Sequence, residues 1–185
     1  MLKILFIVGS LRKGSFNLQL AQTAEKYLAD KAEVKFLDYK DVPFFNQDIE
    51  VPAPLAVSSV REAVKNADAI WIFTPEYNHY FPGVLKNLLD WLSRPIGNGE
   101  GNVLNGKPVA LSGITPGMSG TALSQDHLVT LLSFLNMKIM NVPRLTIPNA
   151  MTQLDENGKL TLTTSAKFLE TQAEAFLEFV ENNTP

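Results

Sequence analysis

Apolar residues along this 185-residue chain come in two alternating patterns, short and nearly unbroken runs and stripes at helical spacing. The run Leu2–Val8 predicts a buried first strand, and Leu18, Leu20, Ala21, Ala24 and Leu28 predict a helix over 16–30. The next run, 33–38, places Lys35 between Val34 and Phe36, a half-polar alternation that suits a strand at a sheet edge. A proline-bearing loop over 39–54 leads to a short helix near 55–66. Residues 67–74 are apolar except for Asp68 and read as a central strand. Pro82 stands where a helix accepts proline, in its first turn, and Leu85, Leu88, Leu89 and Leu92 then form one stripe. Asn102, Asn105 and Gly106 mark a surface turn before a fourth strand, Pro108–Ile114. A helix over Ala122–Phe134, a fifth strand near 138–142 and a last helix over 166–180 complete the pattern.

Strands alternating with helices predict an α/β fold, a doubly wound, five-stranded parallel sheet with helices on both faces. An edge position for the second strand gives the flavodoxin-like order 2-1-3-4-5, with a ligand crevice at the carboxyl ends of strands one and three. The length fits one domain spanning residues 1–185. No repeat or low-complexity tract interrupts it.

Composition narrows the chemistry. Hydrophobic residues make up 45% and charged residues 19%, so the chain can bury a core and is not of the disordered class. The net charge of −3 argues against nucleic acid as a partner. There are no cysteines, which removes disulfides, thiolate metal sites and a cysteine nucleophile, and fits a reducing cytoplasm. No apolar run is long enough to span a bilayer, so no membrane partner is expected. No metal is implied.

Three loops meet at the predicted crevice. The first, Gly9-Ser10-Leu11-Arg12-Lys13-Gly14-Ser15-Phe16-Asn17, runs from the first strand into a helix start. The first amides of a helix lack internal partners and its dipole favours negative charge, so this is an anion site. Ser10, Ser15 and Asn17 can donate hydrogen bonds and Arg12 a charge-assisted one. Ser15 or Asn17 can equally cap the helix, and the two roles are compatible. Gly9 and Gly14 have Walker spacing, but Ser15-Phe16 follows where Lys-Ser/Thr is required, and Leu11 replaces the second glycine of a dinucleotide fingerprint.

The second loop, Thr74-Pro75-Glu76-Tyr77-Asn78-His79-Tyr80-Phe81-Pro82, offers a flat aromatic surface to a planar ligand, and Asn78 and the local amides can bond the ligand's edge. Tyr80 and Phe81 read better as packing or oligomer-interface residues, Glu76 as a loop carboxylate or turn acceptor, and His79 as a surface histidine. His127 falls within a helix and reads as structural or surface. The third loop, 112–120, carries three glycines for close backbone approach, with Ser119 as a candidate helix cap.

The phosphate loop, joined to Pro-Glu-Tyr-Asn (75–78) and Phe-Pro-Gly-Val-Leu-Lys-Asn-Leu-Leu-Asp-Trp-Leu-Ser-Arg (81–94), resembles the NADPH-dependent FMN reductase family. That family includes bacterial chromate and quinone reductases and related azoreductases. The resemblance runs from Leu2 to the final helix. It implies bound FMN, with its phosphate at Ser10, Arg12, Ser15, Phe16 and Asn17. It places the isoalloxazine against Pro75, Glu76, Tyr77 and Asn78, with Ser112 and Gly113, and then Pro116 and Gly117, at its other edge. It further implies a ping-pong cycle in which NADPH or NADH reduces FMN, and the electrons pass to a quinone, azo compound, flavin or metal oxyanion. FMN carries that chemistry, so no catalytic side chain is assigned. Relatives are dimers or tetramers, which implies a homodimer or homotetramer here. His79 and Tyr80-Phe81 depart from the pattern of many bacterial relatives. The rival from another class is a flavodoxin-like electron carrier that binds FMN without oxidising NAD(P)H, and a third reading is a non-flavin phosphate-binding module.

Overall fold

A computed structural model describes residues 1–96 and 100–184. Among these, β1 (Leu2–Val8), β2 (Ala32–Phe36), β3 (Ala69–Phe73), β4 (Pro108–Ile114), β5 (Lys138–Ile139) and β6 (Leu145–Ile147) form one sheet. All pairings are parallel, and the order is β2-β1-β3-β4-β5, with β6 also on β4. The helices are α1 (Phe16–Leu28), α2 (Leu55–Lys65), α3 (Gly83–Leu92), α4 (Ala122–Phe134) and α5 (Ala166–Asn183). The expected doubly wound α/β architecture and its order are therefore present.

Period-two alternation divides the core. Ile4, Phe6, Trp71 and Phe73 face α1 and α5, where Leu20, Ala24 and Phe176 cover them. Leu5, Ile7, Ile70 and Ile72 face the other way, onto Val60 and Val64 of α2, the leucine stripe of α3, and Leu128 and Leu132 of α4. Both faces of β3 and of β1 from Ile4 onward are covered, which is why 4–8 and 69–73 are continuously apolar.

The fifth strand position departs from the expected single strand over 138–142. β5 pairs with Pro108 and Val109, and β6 pairs with 112–114. Between them lies Pro143, which has no N–H to give a ladder, so pairing stops and resumes beyond it. Pro82 precedes α3 as its N-cap instead of lying within the first turn. Helix α1 stops at Leu28, where the Lys31 amide turns back onto the Leu28 carbonyl at 2.8 Å. No helix is long and apolar enough to cross a membrane among the described residues.

Candidate active site

The loop after β1 is drawn tight before it opens. The Gly9 amide donates to the Phe73 carbonyl at 2.8 Å, and a Cβ on Gly9 would lie 3.2 Å from the Pro75 ring. A side chain here would force the Pro75 ring to give by a few tenths of an ångström, so glycine suits this close approach of β1 and β3. Ser15, almost fully buried, is the N-cap of α1, and its Oγ accepts from the Leu18 amide at 3.3 Å. The amides of Phe16 and Asn17 then open the helix with no internal acceptor. Ser10 Oγ lies 3.5 Å from the Tyr77 hydroxyl and accepts weakly from the Arg12 amide at 3.4 Å. The Arg12 guanidinium lies 5.3 Å from the Phe16 ring centre, and no carboxylate pairs with it among the described residues.

Asn17 has a structural task as well. Its Nδ2 donates to the Ile114 carbonyl at 3.0 Å and its Oδ1 accepts from the Ile114 amide at 3.1 Å. The first turn of α1 is thereby fastened to the end of β4, and one Nδ2 proton is left for a ligand.

The loop after β3 ends in a tight hairpin. Tyr77 and Tyr80 exchange both backbone hydrogen bonds, at 2.9 and 3.0 Å, around Asn78 and His79, whose φ values are 53° and 62°. Two left-handed residues in succession make a type I′ turn, in which asparagine is favoured. Tyr77 and Tyr80 stay half exposed, and the Tyr80 ring packs against His127 with 4.3 Å between ring centres and the planes tilted by 30°. Of the two roles expected for Phe81, packing and an oligomer interface, it takes packing: it lies in the core with 3% exposure.

Glu76 is not an exposed loop carboxylate. Its side chain keeps 6% of its surface, and Oε2 accepts from the Ser124 amide in the first turn of α4 at 3.2 Å. Ser119 does not cap α4. Thr121 holds the N-cap position at φ 73° and makes no side-chain cap bond, so the Glu76 carboxylate answers the helix amide from another loop.

In the third loop Ser112 and Gly113 are fully or nearly buried, and each has a structural task. Alternation along β4 turns the Ser112 side chain toward α5, where Oγ accepts from Trp71 Nε1 at 2.8 Å and donates to Gln172 Oε1 at 2.6 Å. Its hydroxyl thus points away from the crevice. Gly113 is required by packing, because a Cβ there would overlap Thr121 Oγ1 and the Thr74 carbonyl. Thr115 and Gly117 are held by backbone bonds to 147–150, while Pro116 and Gly117 remain exposed.

Together these loops enclose a crevice of about 230 Å³ lined by Ser10, Arg12, Ser15, Phe16, Asn17, Pro75, Glu76, Tyr77, Ile114, Thr115 and Pro116. One end is cationic and rich in free amides, and the other is bordered by Tyr77. A larger groove of about 470 Å³ lies under the β2 edge, where Lys35 pairs with Glu33 at 2.9 Å and Asp38 with Lys40 at 3.0 Å.

Two supports had no site-level signal in the sequence. Tyr39 is buried, and its hydroxyl donates to the Val8 carbonyl at 2.6 Å, just before the anion loop. Burial, and secondarily the nearby Tyr77, push the Tyr39 hydroxyl above its ordinary acidity range. Ser124 fastens the aromatic loop through Oγ to the Pro75 carbonyl at 3.0 Å. A tyrosine following an edge strand and a serine inside a helix resemble ordinary core polarity, and only the tertiary contacts give them meaning.

Comparison with known proteins fits this geometry. The family model for NADPH-dependent FMN reductase matches residues 2–152. A 2-hydroxy-1,4-benzoquinone reductase from Burkholderia sp is 36% identical over 181 residues, covering 98% of this chain and 97% of the relative. A quinone reductase from Escherichia coli (strain K12) is 36% identical over 184 residues, covering 97% and 96%. Among solved structures, the flavoenzyme NAD(P)H:(acceptor) oxidoreductase FerB from Paracoccus denitrificans superposes with a TM-score of 0.89 at 33% identity, with each chain covered completely. On a match that takes in most of its length and the loops that build the crevice, the chain belongs to the NADPH-dependent FMN reductase family.

Proposed function

We propose that this chain is an FMN-dependent NAD(P)H oxidoreductase that passes electrons to small aromatic acceptors, with quinones as the leading class and azo compounds, free flavins and metal oxyanions as the wider one. The observation that carries this reading is a single crevice in a member of this family, cationic and rich in amides at one end and aromatic at the other. FMN, when bound, supplies the redox chemistry by accepting hydride from the nicotinamide and releasing electrons to the acceptor.

The chain's own residues fit that group. The unpartnered amides of Phe16 and Asn17, the positive end of α1, the Ser10 hydroxyl, the remaining Nδ2 proton of Asn17 and the Arg12 guanidinium suit a phosphate dianion. Ser15 serves chiefly to hold that helix start open. The Tyr77 ring and Pro75 border the place for a planar ring system. The amides of Glu76 and Asn78 have no acceptor among the described residues, whereas that of Tyr77 is taken by Tyr80. Those two amides are the donors available to negative charge at the ring's edge. Gly113 acts by letting β4 close against Thr74, and Ser112 by bracing β4 from behind, so neither side contributes a side-chain ligand. No side chain is assigned as an acid or base.

A homodimer or homotetramer in the cytoplasm belongs to the same reading, supported by half-exposed Tyr77, Tyr80 and Leu123 beside the crevice. Steady-state kinetics test the function. NAD(P)H oxidation should require added FMN in the apoprotein and give parallel double-reciprocal lines against a panel of quinones. Absence of FMN-dependent NAD(P)H oxidation with every acceptor contradicts it.

A further inference from the structure

The aromatic hairpin that borders the crevice stands on one face of α4, held by contacts that share a single axis. Ser124 binds two consecutive residues of the loop, its amide meeting the Glu76 carboxylate at 3.2 Å and its Oγ the Pro75 carbonyl at 3.0 Å. Thr74 Oγ1 lies 3.1 Å from Ser124 Oγ, so the knot is continuous from the end of β3. One turn further along α4, the His127 ring packs against Tyr80. Thr74 and Ser124 are completely buried, and the Glu76 side chain nearly so. The other Glu76 oxygen lies 3.6 Å from Nδ1 of His79, which is 80% exposed and adds little to the knot.

We propose that Glu76 is a positioning residue, an acceptor that pins the Tyr77–Tyr80 hairpin to the first turn of α4 and so sets where Tyr77 meets the planar ligand. Glu76 works through an oxygen offered to an amide, and its negative charge is secondary. Burial makes the pin strong, because removing the carboxylate leaves the Ser124 amide without its partner. The pin also substitutes for the side-chain cap that Thr121 does not provide, so one interaction ends a helix and fixes a loop.

The two ideas are separable by variants that keep or remove the acceptor. Glu76→Gln retains an oxygen for Ser124 without the charge, and Glu76→Ala removes both. In the apoprotein, amide hydrogen exchange at Tyr77 and Tyr80 reads the hairpin directly; E76A should speed it, and E76Q should restore wild-type protection. With FMN, a consequence that rests on the function proposed above, E76A should weaken affinity by about tenfold while E76Q stays within about twofold of wild type. His79→Ala should change neither. Should E76A fail to fold, Glu76→Met, which keeps the bulk of the side chain but offers the Ser124 amide no oxygen, takes its place and should speed the same two amides. An E76Q protein as impaired as E76A overturns the proposal, because charge would then be the active property. Unchanged exchange or unchanged FMN affinity in a folded E76A protein overturns it too. Failure of the wild type to bind FMN contradicts the proposed function, whereas the exchange measurement still decides the pin.

Discussion

Asn17 and Ile114, 97 positions apart, exchange a pair of hydrogen bonds in which the asparagine side chain replaces a neighbouring strand at the end of β4. This clasp is what joins the anion loop to the third loop. Replacing Asn17 with alanine leaves both backbone groups of Ile114 buried and unpaired, a cost of about 2–4 kcal/mol in unfolding free energy. Urea denaturation of the apoprotein measures it, and a loss below a few tenths of a kcal/mol would mean that the clasp contributes nothing. FMN affinity should fall in the same variant, because the first turn of α1 is no longer registered against β4.

Arg12 offers the contrasting case. Its side chain is exposed and makes no carboxylate pair among the described residues, so its removal should spare stability. Arg12→Ala should weaken FMN binding by roughly ten- to a hundredfold, as expected for losing a charge-assisted hydrogen bond. Fluorescence titration measures this, and added salt should narrow the gap between variant and wild type. Unchanged affinity would remove Arg12 from the phosphate site.

Tyr39 gives a pH dependence of known sign. Burial raises the pKa of its hydroxyl in the folded state, so above the ordinary tyrosine value of about 10 the unfolded chain loses a proton that the folded chain keeps. The stabilisation from this group is therefore fully present below pH of about 10 and is lost as pH rises through the folded value. Tyr39→Phe should unfold more easily at neutral pH, by about 1–3 kcal/mol, because the Val8 carbonyl loses its donor. The variant should also show a flatter decline in alkaline solution. Equilibrium unfolding at neutral pH and at pH above 10 checks both, and parallel pH profiles for the two proteins would contradict the assignment.

The sheet order and the helices were legible because they rest on one-dimensional signals, the apolar runs of β1 and β3 and the stripe on α3. So was the anion loop, since a strand running into a serine-capped helix declares itself locally. Ser112 shows a signal that was present but outweighed, because the same alternation that buries Ala110 and Ile114 on the α5 side also turns Ser112 there. Pro143 likewise carried the interruption of the fifth strand in its missing N–H. The Glu76–Ser124 contact was not legible, since nothing local tells a carboxylate in one loop that it will end a helix 48 residues away.

Bound flavin in this protein should accept hydride from NAD(P)H. The most direct measurement is anaerobic mixing of the purified, FMN-loaded protein with NADPH, and separately with NADH, while visible flavin absorption is followed. The absorption should bleach with at least one of the two nicotinamides and return when a quinone is added. A flavin that binds but stays oxidised with both would identify an electron carrier and contradict the enzyme reading.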